Sequence, residues 1–97
     1  MAQTETLAMQ DFADFIGGTF HAQQGETAFA LELIEATTLA GDAREGGAFS
    51  LLWQGPEAPV FPQSIYQVAH AEAGKHTLFL VPVGQTSAGV QYESVFA

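Results

Sequence analysis

Residues 64–96 constrain this chain more than any other stretch. They read SIYQVAH, a short turn at AEAG, KHTLFLVPV, a polar loop and VQYESVF. Alternating β-branched and aromatic residues between turn formers predict three consecutive strands. The middle strand, over 75–83, is apolar on both of its faces, most clearly over 78–83. Such a strand requires cover on both sides, so it is expected at the centre, flanked by strands over 63–70 and 90–96. A connection at 71–74 pairs His70 with Lys75, Tyr66 with Phe79 and Ile65 with Leu80. A loop over 84–89 brings Val81 opposite Tyr92 and Leu78 opposite Val95. Hydrophobic consistency of this kind is what sets register. It makes Tyr66, Phe79, Leu80, Val81 and Phe96 core positions.

The rest of the chain supplies what covers these strands. Met9, Phe12 and Ile16 recur at helical spacing with Phe15 beside them, which predicts a short helix over about 7–16. Thr6 is placed to cap it, and Gly17-Gly18 to end it. A helix this short must dock its apolar face on the sheet, and residues 1–5 before it are expected to be disordered. Strands follow over 19–23 and 26–37, joined at Gln24-Gly25, with Phe20 opposite Phe29. Residues 39–48, LAGDAREGGA, read as a flexible connection, and 49–54 as a strand with Phe49, Leu51 and Trp53 on one face. The prolines of PEAPVFP fix an extended path outside the ladder, with Val60 and Phe61 either tucked onto the core edge or exposed as a contact. The expected architecture is a single α+β, mainly β domain. It is a six-stranded antiparallel meander forming a small barrel or sandwich, with one short N-terminal helix plugging an end or a face.

Composition narrows the function. With 47% apolar residues, eight of them Phe, a chain of 97 residues can build a core without a metal or disulfide, and it has no cysteine. Eleven acids stand against Arg44 and Lys75, for a net charge of −9. Phosphate backbones and anionic membranes are held by Lys and Arg, so neither nucleic acid nor membrane is an expected partner. Charged residues are 13% of the chain, against about a quarter in ordinary domains. Either a partner or a further copy covers part of the surface, or the chain carries an Ala- and Gly-rich bias. The first ten residues show neither a basic start nor a long apolar run, and 78–83 is too short to span a bilayer. The expected location is cytoplasmic, or outside the cell by an export route that leaves no N-terminal mark.

No motif carries catalysis. In the expected register His70 and His76 point to opposite faces, which separates them as metal ligands. Ser50, Ser64 and Ser94 lie within strands with no G-x-S-x-G elbow. Glu32 and Glu35, three apart on one strand, face opposite sides, while Asp11 and Asp14 fall on the solvent face of the helix. GDAREGG lacks the spacing of either glycine-rich phosphate loop. Enzymatic activity, a cofactor and a metal are therefore not expected. The remaining signals concern interaction. They are Val60 and Phe61 in the proline-flanked segment, and the last strand with Val90, Tyr92, Ser94 and Phe96, whose ladder edge is either free to accept another strand or closed in a barrel.

Several segments together resemble a family of short bacterial proteins of unknown function: DFADFIGGTF, AFSLLWQGP, PQSIYQVAHAEAGKHTLFLVPVG and the closing YESVFA. PQ-x-IY-x-x-x-H, LFLVPVG and Y-E-x-V-F are its specific parts, and together the segments cover over half of the chain. Members of that family often accompany phage-tail-like, tail-collar-domain proteins. The resemblance implies a structural or assembly accessory with no catalytic residues, able to associate with an exported tail-like assembly. The alternative is a small-ligand-binding β-barrel with Trp53, Tyr66 and Tyr92 lining its cavity.

Overall fold

A computed structural model of the protein describes residues 9–39 and 48–96. The expected disorder of 1–5, the cap at Thr6 and the glycine-rich part of the 39–48 connection lie outside the described residues.

One short helix, α1 (Gln10–Ala13), precedes six strands: β1 (Thr19–Gln24), β2 (Thr27–Thr38), β3 (Phe49–Gln54), β4 (Ser64–His70), β5 (Gly74–Thr86) and β6 (Gly89–Phe96). All neighbours are antiparallel. They close into a barrel in the order β1-β2-β3-β6-β5-β4. The chain therefore runs as two three-stranded meanders rather than one continuous one, and β3 joins β6 instead of β4. The last seam, β1 to β4, has three paired positions, His21↔Ala69 to Gln23↔Gln67. The Gln24 amide extends it, donating to Ser64 Oγ (2.6 Å) and to the Ile65 carbonyl (2.9 Å).

In that ring β3 and β4 lie opposite each other, so their connection must cross a barrel mouth. It does so as the extended, proline-rich segment over 55–63. Gly55 N–H donates to the Val90 carbonyl (2.7 Å), and Val90 N–H donates back to the Pro56 carbonyl (3.1 Å). Phe61 then stacks on Phe29, ring centroids 3.8 Å apart. The other mouth is closed by the α1 segment. Phe12 is fully buried between the rings of Phe49, Phe96 and His76. Phe15 lies on His70. The helix has a single turn, so Ile16, expected on the docking face, is 49% exposed and Phe15 takes its place.

The interior holds Phe20, Phe29, Leu31, Leu33, Leu51, Trp53, Tyr66, Val68, Leu78, Leu80 and Tyr92. Its polar atoms are bonded internally. Trp53 Nε1–H donates to Ser94 Oγ (3.2 Å), the Tyr66 hydroxyl donates to the Pro62 carbonyl (2.6 Å), and Tyr92 Oη accepts from Phe61 N–H (2.9 Å). Burial, and then the neighbouring Tyr92 phenol, push the Tyr66 phenol above its ordinary pKa.

The strands fall close to where they are expected, but the registers differ. The β1–β2 turn is Gly25-Glu26, with Gly25 at φ 59°, which pairs Phe20 with Leu31 and Ala22 with Phe29. This shift of two residues keeps every side chain on its expected face. The β4–β5 register differs by one. Gly74, at φ 93°, already pairs with His70, so Tyr66 opposes Leu78 and Ile65 opposes Phe79. A slip of one residue exchanges faces. Phe79 is therefore an outward residue, 49% exposed, rather than a core one. On β5–β6, a bulge between Pro82 and Gly84 sets Pro82 opposite Tyr92 and Val81 opposite Glu93. A second bulge, between Leu33 and Glu35 on β2, leaves Glu32 and Glu35 both exposed instead of on opposite sides.

Candidate interaction surface

The two residues read from the proline-rich segment part company. Val60 is 57% exposed, whereas Phe61 is half-buried against Phe29. On β6, Val90, Tyr92 and Ser94 are buried inside the barrel. Phe96 is half-buried and stacks on Phe49 with centroids 4.4 Å apart. Of the two readings of the β6 edge, free or closed in a barrel, the closed one holds: β6 is paired with β3 from Phe49↔Phe96 to Gln54↔Gln91. The alternation that makes these residues conspicuous in the sequence is the one that turns them inward.

Their neighbours in the chain face out. Ile65, Phe79, Val83 and Val95 are each about half or more exposed, at 58%, 49%, 50% and 55%. Ile65 and Phe79 are direct cross-strand partners. Val95 lies on the adjacent strand two positions past Glu93, whose partner is Val81. The doubly apolar β5 is thus covered on its inner face by the barrel contents and open on its outer face. Isolated apolar residues at a surface are ordinary, but a contiguous apolar row marks an interaction site.

A concavity of about 380 Å³ opens between α1 and the β4–β5 turn. Asp11, Asp14, Phe15, Glu72 and His76 line it. The histidines here organise the turn. His70 Nδ1 accepts from Glu72 N–H (3.0 Å) and Ala73 N–H (3.1 Å), and His76 Nε2 lies 2.9 Å from the Ala73 carbonyl oxygen. With His70 opposite Gly74 and His76 opposite Val68, both rings point to the inner face under α1. This corrects the expectation that they face opposite sides. No group of three or more His, Cys, Asp or Glu among the described residues is placed to hold a metal ion.

The barrel interior bears on the ligand-binding alternative. Trp53, Tyr66 and Tyr92 are at most 2% exposed, and each polar atom already has its partner inside the protein. They pack among the Phe and Leu side chains of the core.

The model of one family, described as a domain of unknown function, DUF6916, matches residues 7–96. The chain belongs to this family. No curated protein and no solved structure matches it. The DUF6916 match includes α1 and all six strands, so it contains both mouth closures and the outer apolar row. Only the Phe79 part of the row is marked in the DUF6916 sequence, as the second apolar face of 78–83. Without the correct register, that face reads as a further buried one.

Proposed function

We propose that this DUF6916 domain is a non-enzymatic interaction protein, an accessory or assembly factor for a phage-tail-like or tail-fibre-like protein. The observation that carries the interaction reading is the exposed row of Ile65, Phe79 and Val95 on a closed barrel. A barrel of this kind has no need of unpaired apolar surface for its own stability. The tail-like partner is supported by the resemblance of DFADFIGGTF, PQSIYQVAH and LFLVPVG to proteins that accompany tail-collar proteins. The same reading expects a cytoplasmic protein that meets its partner before export. No helix among the described residues is long and apolar enough to cross a membrane.

Co-expression with a tail-like protein encoded beside it, followed by native co-purification, tests the proposal. The expected result is a complex of defined stoichiometry. Recovery of the chain only as an unpartnered monomer overturns it.

A further inference from the structure

Two adjacent lateral rows cross the outer surface of the barrel. The first is the apolar row Ile65, Phe79 and Val95. The second is Leu52, Glu93 and Val81, direct partners across β3, β6 and β5, all half-buried. Same-face residues along a strand repeat about every 6.7 Å, and neighbouring strands lie about 4.8 Å apart. The Glu93 carboxylate therefore sits within one side-chain length of the apolar row. Its cross-strand neighbours on both sides are aliphatic, so it has no cation opposite it in the sheet. Glu35, opposite Leu52 and exposed, extends the second row with a further acid.

This arrangement selects among occupants. A second copy would bring a charge of −9 against −9 and set each Glu93 row near a row of like charge, which opposes association. An anionic lipid surface is repelled by the same acids. We infer that the outer face of β4–β5–β6 docks a cationic amphipathic segment of a different protein. Its aliphatic or aromatic side chains cover Ile65, Phe79 and Val95, and a Lys or Arg one row away meets Glu93. The inference rests on the interaction reading above and names the chemistry of the partner.

Three peptides serve as probes against the full chain. One is an amphipathic Leu/Lys peptide, the second has Lys replaced by Glu, and the third has Leu replaced by Ser. Amide chemical-shift mapping with the Leu/Lys peptide is expected to centre on Ile65, Phe79, Glu93 and Val95. The two altered peptides are expected to bind about tenfold more weakly or worse. Phe79→Ser and Glu93→Lys each change an outward side chain. Each is expected to weaken the Leu/Lys peptide about tenfold with thermal melts unchanged. Shifts centred on Asp11, Asp14 and Glu72 overturn the inference, as does Glu93→Lys binding like the native chain. A native dimer that Phe79→Ser dissociates also overturns it, because a second copy then covers the face. Co-purification separates this result from the wider proposal. If both variants still recover the tail-like protein, the assembly reading stands and this surface falls. If the native chain recovers none while the peptides behave as expected, the assembly reading falls and the surface stands.

Discussion

Phe29 and Phe61 stack face to face, with centroids 3.8 Å apart and ring planes within 6° of parallel. Phe29 belongs to β2 and Phe61 to the segment that crosses the barrel mouth, so this contact seats the crossing on the core. Phe61→Ala should cost about 2 kcal/mol, below the range for a fully buried Phe because Phe61 is half-buried. Val60→Ser, one residue earlier and exposed, should change stability by less than about 0.5 kcal/mol. Urea denaturation of the two variants checks the contrast.

Ser94 is buried at 1% exposure, and its hydroxyl accepts from the Trp53 indole. Ser94→Ala leaves that N–H without a partner in the interior and should cost about 1–3 kcal/mol. In a Trp53→Phe background the same change should cost less, because no donor remains to be stranded. Trp53 is the one tryptophan in the chain, so its fluorescence follows unfolding of the Ser94 variant directly.

The Tyr66 phenol has its pKa raised by burial and by Tyr92. A raised pKa in the folded state means that the unfolded chain loses this proton first. The stability contributed by the neutral phenol is complete below the unfolded value of about 10 and is lost as pH rises through the folded value. Urea midpoints should therefore fall on going from neutral pH to above about pH 10. Tyr66→Phe should flatten this part of the fall. The same variant should cost about 1 kcal/mol at neutral pH, because the Pro62 carbonyl loses its donor.

Gly89 opens β6 at φ 136°, and a Cβ there would run into the Gly55 carbonyl oxygen and lie 2.9 Å from the Pro56 carbonyl carbon. Gly89→Ala should cost about 3 kcal/mol, from backbone strain together with displacement of the mouth crossing. At Gly25, φ is 59°, but a Cβ there would meet nothing within 4 Å. Gly25→Ala should cost only the left-handed penalty of about 1 kcal/mol. Thermal unfolding of the two variants distinguishes crowding from backbone conformation alone.

The strand positions were legible because the turn formers and the alternation are local. Phe49, Leu51 and Trp53 alternate with Ser50, Leu52 and Gln54, and the structure buries the first three. The register of β4 on β5 was not legible, because a three-residue turn before Gly74 and a four-residue turn including it are both compatible with AEAGK. That single residue decides whether Phe79 is core or surface. It also decides whether His70 and His76 share a face. Sequence patterning therefore points to Val60, Phe61, Val90, Tyr92, Ser94 and Phe96, of which only Val60 is largely exposed, whereas the exposed row is Ile65, Phe79 and Val95.

What the sequence determined by itself is the mainly β class, the six strand positions, the presence of a short N-terminal helix and the extended course of PEAPVFP. All of these follow from backbone preferences and periodicities that act over a few residues. Tertiary structure decided the joining of β3 to β6, the crossing of one mouth by Phe61, the bulges at Leu33/Glu35 and Pro82/Gly84, and which face of β5 meets solvent. The physical reason is the two-residue period of a strand. Both faces of 75–83 are apolar enough to be buried, so hydrophobicity alone does not choose between them. Closure of the ring around Leu78 and Leu80 does, and it leaves Phe79 on the outside.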